Sequence, residues 1–239
     1  MPLELKNGAV IVTDAHYPRN KASLLAFFDS LIDAPPPQLI LMGDMCEFLT
    51  PSIPYSITYN QDFVNRVKKL SKITNVIYLE GNHDFLIKKL FSDAKVFSLD
   101  EQPVFMEAVG KKIAIMHGDK FERLRYRIYA RLIRNNFLLL LLRVFTCDVG
   151  GRYVKKLYNK LLAKDICRKF EGFEAKKIAE IPMYGVENVQ YLLEGHYHKR
   201  LSLKFGNLKY EAFSAFACNK SFFEVEFLDS DISFKQMSF

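Results

Sequence analysis

Val76-Ile77-Tyr78-Leu79-Glu80-Gly81-Asn82-His83-Asp84 is the stretch on which the fold of this chain is read. An apolar run closes on glycine and then presents an amide, an imidazole and a carboxylate. That order describes a buried strand delivering polar side chains to a sheet edge, where open α/β sheets place their chemistry. The pattern recurs on both sides. Ala9-Val10-Ile11-Val12 empties into Asp14-Ala15-His16, and Leu39-Ile40-Leu41-Met42 into Gly43-Asp44. Ile113-Ala114-Ile115-Met116 leads to His117-Gly118-Asp119, and Tyr191-Leu192-Leu193 to Glu194-Gly195-His196-Tyr197-His198. Short, β-branched, continuously apolar runs of this kind predict strands buried on both faces.

Between the first two runs, Asn20 to Ile32 carries apolar residues at 24, 25, 27, 28, 31 and 32, a helical period, and residues 61–73 repeat it through Phe63, Val64, Val67 and Leu70. Pro35-Pro36-Pro37 predicts a rigid turn into the second strand. Near the C-terminus, Phe222 to Phe227 and Ile232 to Phe234 alternate apolar with polar residues, which predicts an antiparallel region. The expected fold is a layered α/β or α+β core formed by residues 1–119 and 174–239, with a helical insertion at 120–173.

Composition narrows the class. With 239 residues, 49% of them hydrophobic, and a mean hydropathy of −0.03, the chain has apolar side chains enough for a full globular core. No apolar run approaches the roughly 20 residues of a membrane span. The start, Met1-Pro2-Leu3-Glu4-Leu5, lacks the basic-then-apolar order of a secretory signal. Cys46, Cys147, Cys167 and Cys218 are scattered with no CxxC pair, so the expectation is neither a disulfide framework nor a thiolate zinc site, and a reducing, cytosolic setting. The net charge of +7 is uneven: residues 120–169 hold fourteen Lys/Arg against three Asp/Glu, leaving 20 basic against 24 acidic residues elsewhere. The basicity belongs to the insertion.

All five histidines lie at strand ends or just beyond them. One such histidine, or one Gly-Asp after a strand, is ordinarily a hydrogen-bonded rim residue or a turn. Five polar endings together argue for metal chemistry. Asp14, His16, Asp44, Asn82, His83, Asp84, His117, His196 and His198 combine carboxylate, imidazole and amide, a donor set suited to Mn²⁺, Fe²⁺ or Zn²⁺ rather than Ca²⁺. The candidates outnumber what one ion takes, and a carboxylate can bridge two ions about 3.5–4 Å apart. If the strands continue, Asp14 and His16 share a face, as do His196 and His198.

Asp14-x-His16, Gly43-Asp44, Gly81-Asn82-His83-Asp84, His117-Gly118-Asp119 and Gly195-His196-x-His198, in this order, resemble the calcineurin-like metallophosphoesterase family. The resemblance implies a two-sheet β-sandwich flanked by helices with a binuclear centre, most often Mn²⁺. One metal would take Asp14, His16 and His198, the other Asn82, His117 and His196, and Asp44 would bridge them. It also implies that His83 faces the substrate phosphate, oriented by Asp84.

Substrate choice belongs to what is grafted on the core. Arg123, Arg127, Arg131 and Arg134 are spaced to form one stripe on a helix, and Lys156, Lys160 and Lys164 repeat the device. Between them Phe137 to Leu142 is wholly apolar. DNA binding does not need such a stretch, so nucleic acid is the weaker reading. Basic faces beside a short apolar stretch fit an interfacial element on anionic lipid, or a lid with a slot for acyl chains. A narrower resemblance, through Gly81 to Ile87, Lys112 to Asp119 and the helical insertion, is to the bacterial UDP-2,3-diacylglucosamine hydrolases of lipid A synthesis. It implies a lipid-linked nucleotide sugar as substrate, UMP and a lipid monophosphate as products, and a place on the inner membrane surface. His83 stands where that group typically carries arginine. Two alternatives stay open: a soluble phosphodiesterase or nucleotide pyrophosphatase, and a non-catalytic protein-binding scaffold.

Overall fold

The computed structural model of the chain describes residues 3–122, 124–145, 151–168 and 170–239. In order they form β1 (Leu3–Glu4), β2 (Val10–Val12), α1 (Lys21–Asp33), β3 (Gln38–Leu41), α2 (Pro54–Tyr59), α3 (Gln61–Ile73), β4 (Asn75–Leu79), β5 (Lys95–Phe97), β6 (Val104–Ala108) and β7 (Lys111–Met116). After a 3₁₀ turn at Asp119–Phe121 come α4 (Leu124–Ile133), α5 (Asn136–Phe145), α6 (Arg152–Leu162) and α7 (Phe173–Glu180). The chain closes with β8 (Tyr191–Glu194), β9 (Leu201–Phe205), β10 (Leu208–Ala212), α8 (Phe216–Asn219), β11 (Ser221–Leu228) and β12 (Asp231–Ser238).

Two six-stranded mixed sheets result, ordered β12-β11-β2-β3-β4-β5 and β1-β6-β7-β8-β10-β9. The alternation of side chains along each strand explains how they stack. Ile11 of β2, Ile40 of β3 and Ile77 of β4 point inward and join Met106, Ile113, Ile115 and Leu193 of the other sheet in one core. Their neighbours Val10, Val12, Leu39, Leu41, Val76 and Tyr78 point outward and pack under α1 and α3 through Phe27, Phe28, Phe63 and Val67. On the far side Ala114, Met116 and Leu192 meet Phe173 and Ile181. The order is helix, sheet, sheet, helix, the expected sandwich. Each fully buried large apolar side chain contributes about 1.5–3 kcal/mol.

The parallel strands β2, β3 and β4 all end toward one edge, as do the parallel β7 and β8. This is why their polar endings meet. The sequence reading had no helix at 54–59. There Pro54 presets the first turn and the buried Ser56 hydroxyl bonds the Thr50 carbonyl at 2.8 Å, so tertiary contact rather than apolar period makes the helix.

The cysteine expectation is corrected: Cys167 and Cys218 form a disulfide, with Cα atoms 5.5 Å apart. Their separation of 51 residues hid this. The loop after α6 and the short α8 come together beside the strand ends. The reducing setting therefore loses its support from cysteine usage. Cys147 lies outside the described residues.

The insertion shows both expected features and one departure. Arg127 and Arg131 on α4, with Lys156 and Lys160 on α6, are exposed, while Arg123 lies outside the described residues. Arg134 leaves the stripe: α4 ends at Ile133, and Arg134 turns inward to bond the Gly81 carbonyl at 2.9 Å and Asp119 at 3.0 Å. On α6 the buried pair is Val154 and Tyr158, which leaves Tyr153 and Leu157 facing out.

Candidate metal centre

The loops after the strands do not continue the pleat. Asp14 (φ 51°), His16 (47°), Asp44 (50°), His196 (68°) and His198 (58°) are all left-handed. Non-glycine residues rarely adopt this region, and each instance costs about 1–3 kcal/mol, so clustering it at five of seven candidate ligands marks a place held against local preference. The expectation of a shared face is thereby corrected for His196 and His198, while Asp14 and His16 do come together, though not through a continued strand. β2 ends at Val12 and β8 at Glu194, and alternate left-handed turns aim the side chains beyond them. His16 and His198 converge, whereas His196 joins a different group.

Backbone lacing between loops holds the strain. Asp14 N–H donates to the Gly43 carbonyl (3.1 Å), His16 N–H to Asp44 (3.0 Å) and Gly195 N–H to His117 (3.1 Å). Glycine is required where the loops touch. A Cβ on Gly81 would lie 2.2 Å from Asp44 Oδ1, and one on Gly195 2.3 Å from Thr13 Oγ1.

The carboxylate of Asp84 is the knot of this lacing. It accepts from the N–H groups of Asp44 (2.9 Å), Met45 (2.6 Å) and Gly81 (2.9 Å) and from the Tyr78 hydroxyl (2.7 Å). The expectation that Asp84 orients His83 is corrected. The His83 ring is held instead through Nδ1 by the main-chain carbonyl of Glu47, at 2.7 Å. Asp84 sets the loop that carries Asp44.

Two groups of candidate ligands face each other. In the first, His198 Nε2 lies 3.2 Å from Asp14 Oδ1 and 3.1 Å from His16 Nε2. In the second, His117 Nε2 lies 3.4 Å from Asn82 Oδ1 and 3.5 Å from Asp44 Oδ2, with the His196 ring 5.0 Å from that of His117. Asp44 Oδ2 also lies 4.0 Å from His16 Nε2, so this oxygen stands between the groups.

The hydrogen bonds decide whether these residues fit a cation. His117 Nδ1 faces the Met42 carbonyl at 2.9 Å, and His198 Nδ1 the Ile166 carbonyl at 2.7 Å. A carbonyl only accepts, so each Nδ1 carries the hydrogen and each neutral ring turns a lone pair outward from Nε2. Lone pairs of imidazole, amide and carboxylate then converge with no hydrogen between them. That arrangement fits a divalent cation in each group, with the outer carbonyls fixing the tautomers.

Electrostatics agree. Burial raises the Asp14 carboxyl, but His198 outweighs it and brings the group down to about 2. Burial likewise raises the Asp44 carboxyl, but His117 and His83 outweigh it and hold the group well below its ordinary value. The His117 and His198 rings are lowered by burial but raised overall by Asp44 and Asp14, respectively. Protons and metal thus compete for the same nitrogens, and metal binding must release the protons. Because both rings are raised above the ordinary imidazole value of about 6.5, Mn²⁺ affinity is expected to rise as the pH rises above that value. Calorimetry in buffers of different ionisation enthalpy would show proton release on binding; a pH-independent affinity would refute the competition.

Two functional neighbours escaped the sequence reading. Glu47, its side chain 1% exposed, lies 3.6 Å from His16 Nδ1 and 3.8 Å from His83 Nδ1. A second carboxylate three residues after Asp44 was its only signal. Glu122 sits 3.8 Å from His196 Nε2 and accepts from Lys176 (2.9 Å) and the Tyr197 hydroxyl (2.7 Å). A cleft of about 1050 Å³ opens onto His196 and His198, lined also by Lys164 and Arg168 from the end of the insertion.

The sequence profile of the calcineurin-like phosphoesterase family matches residues 9–200. The chain is 26% identical over 203 residues to a UDP-2,3-diacylglucosamine hydrolase of Pseudomonas putida F1, covering 80% of this chain and 81% of that one. It is 22% identical over 201 residues to the Coxiella burnetii RSA 331 protein of the same name (80% of each chain), and 23% over 167 residues to that of Aliivibrio fischeri MJ11 (68% of each). The matched span runs from β2 through the loop of His196 and His198 and so takes in every strand ending of the site. On that ground the chain belongs to the calcineurin-like phosphoesterase family and is a metal-dependent phosphoesterase.

Proposed function

We propose that this chain is a binuclear, Mn²⁺-preferring hydrolase that cleaves the diphosphate of UDP-2,3-diacylglucosamine to UMP and a lipid monophosphate, working on the anionic inner face of a membrane. The observation that carries the reading is the pairing of the metal cleft with a helical insertion, residues 120–173, that exposes both charge and oil. Ile128 is 51% exposed, Leu132 52%, Phe137 65% and Leu140 53%, beside the exposed Arg127, Arg131, Lys156 and Lys160. A soluble lid has no use for such a surface, whereas an interfacial one seats its apolar side chains in lipid and its bases on phosphate. No helix among the described residues is long and apolar enough to cross a membrane. The names of the relatives point the same way.

In this reading Asp14, His16 and His198 hold one ion, Asn82, His117 and His196 the other, and Asp44 both. Bound metals of this kind lower the pKa of water and neutralise phosphate oxygens. The chain's own residues do the rest. With its Nδ1–H held by the Glu47 carbonyl, His83 donates to a phosphate oxygen or to the leaving group from Nε2 when that nitrogen also carries a proton. Arg168 and Lys164, at the cleft wall, supply positive charge for the second phosphate. The Tyr126 hydroxyl on α4, buried and without a hydrogen bond among the described residues, is a further donor near His196.

The test is turnover of UDP-2,3-diacylglucosamine with Mn²⁺, following UMP by mass spectrometry beside bis(4-nitrophenyl) phosphate. Rapid UMP release, lost in His198→Ala, is the expected result. Cleavage of the soluble diester alone would leave the metal chemistry and remove the substrate. Each basic side chain near an anionic surface is worth about 1 kcal/mol, so reversing Arg127, Arg131, Lys156 and Lys160 to glutamate is expected to weaken vesicle binding roughly a thousandfold. Diester hydrolysis should persist. Undiminished vesicle sedimentation would remove the membrane role from this segment.

A further inference from the structure

We propose that Glu47 is a positioning residue that sets the rings of both His16 and His83, and that Arg19 ties this setting to the seat of the helical insertion. The inference rests on reading His16 as a metal ligand and His83 as the phosphate-facing group.

Glu47 reaches the two rings by different atoms. Its main-chain carbonyl takes His83 Nδ1 at 2.7 Å, while its carboxylate Oε2 lies 3.6 Å from His16 Nδ1, an atom with no hydrogen bond among the described residues. His16, Glu47 and His83 are close enough to resemble a metal group of their own. His83 Nδ1, 3.8 Å from the Glu47 carboxylate, gives its hydrogen to the Glu47 carbonyl and so has no lone pair for an ion beside that carboxylate. Glu47 is therefore an outer partner. A carboxylate behind a ligand imidazole holds the hydrogen on the far nitrogen and turns the near one to the ion. His16 Nε2, on the other side of the ring, is the atom 3.1 Å from His198 Nε2.

Arg19 completes the arm. Its Nε pairs with Glu47 Oε1, which neutralises a carboxylate with no access to water. Its Nη2 donates to the carbonyls of Leu161 (2.8 Å), in the last turn of α6, and Lys164 (3.1 Å), two residues past its end. The Leu161 carbonyl also accepts the Lys164 N–H at 3.0 Å, so the guanidinium adds a second bond where the helix ends. Two residues on, the Ile166 carbonyl holds His198. The end of the insertion thus reaches His198 directly and His16 through Arg19 and Glu47, both in the first ligand group, whereas Glu122 and Arg134, earlier in the insertion, lie beside the second.

The experiment is Mn²⁺ titration calorimetry on the metal-stripped full chain, comparing Glu47→Gln and Arg19→Met with wild type and with His16→Ala, beside steady-state hydrolysis of bis(4-nitrophenyl) phosphate. Second-sphere losses typically cost about 10–100-fold in metal affinity, so Glu47→Gln is expected to weaken one of two Mn²⁺ sites by that factor and leave the other within about threefold. Arg19→Met, a milder change at a partly exposed side chain, should shift the same site in the same direction. At saturating Mn²⁺ it should lower kcat while leaving KM within about twofold. If His16→Ala loses one site but Glu47→Gln and Arg19→Met lose none, the positioning role is refuted and the ligand reading stands. Equal weakening of both sites would make Glu47 a support of the fold and refute it too. Should His16→Ala bind two ions as wild type does, the ligand reading falls and the proposal with it.

Discussion

Asp44→Ala is expected to abolish phosphoester turnover while the chain stays folded. Three observations put the effect on this residue. Its Oδ2 stands 4.0 Å from His16 Nε2 and 3.5 Å from His117 Nε2, so both ligand groups lose a donor together. Its Oδ1 accepts the His83 N–H at 2.8 Å, which fixes the loop bearing the imidazole proposed to face the phosphate. Its backbone is stitched to Asp84 and to His16 independently of the side chain, so the loop keeps its frame when the carboxylate is gone. Loss of a single electrostatic stabiliser costs about a hundred- to a thousandfold, and if Asp44 serves both proposed metal sites they fail together, so the fall should exceed the upper figure. The check is kcat for bis(4-nitrophenyl) phosphate at saturating Mn²⁺, with circular dichroism as the control for folding. Turnover within tenfold of wild type would remove Asp44 from the bridging position.

Lys177→Met is expected to carry the largest loss of stability. Lys177 on α7 is fully buried, and its ammonium donates to Glu194 Oε1 at 2.9 Å and approaches the Tyr184 hydroxyl at 2.8 Å. It also sits 4.0 Å above the Tyr197 ring, between the two histidines of the last loop. Burial pushes the Glu194 carboxyl up, and Lys177 is the chief force holding it down. Removing one partner of a buried pair leaves an uncompensated charge and costs about 3–5 kcal/mol. The double change Lys177→Met with Glu194→Gln removes that charge while keeping an acceptor for the Tyr210 hydroxyl, and should recover most of the loss. Denaturant unfolding of the wild type and the two variants settles the matter. Equal destabilisation of the single and double variants would show that packing, not the unpaired carboxylate, is responsible.

The five strands and both helical periods before Gly81 were legible, because burial on two faces leaves continuous apolar runs that few other elements produce. The exposed halves of Arg127, Arg131, Lys156 and Lys160 were legible for the complementary reason. Arg134 was not, because spacing alone cannot tell where α4 ends, and the unsatisfied Gly81 carbonyl that draws the guanidinium inward lies 53 residues away. The Cys167–Cys218 bond was invisible on the same account.

Within the site, the residue types at the strand ends settle the chemistry by themselves. Aspartate, histidine and asparagine supply hard and borderline donors for a divalent cation, and no arrangement of them suits another reaction class as well. What those letters cannot express is which nitrogen of each ring faces into the site. That choice belongs to main-chain carbonyls: Met42 for His117, Ile166 for His198 and Glu47 for His83. Every residue carries a carbonyl, so its identity leaves no trace in the sequence. Nor does a pleat-based reading foresee five left-handed residues, since their cost is met by bonds to loops distant in the chain. Sequence alone determined the donors, the order of the strands that carry them and the charge of the insertion; tertiary structure alone decided their aim, because direction depends on hydrogen bonds between segments that meet only when the two sheets close.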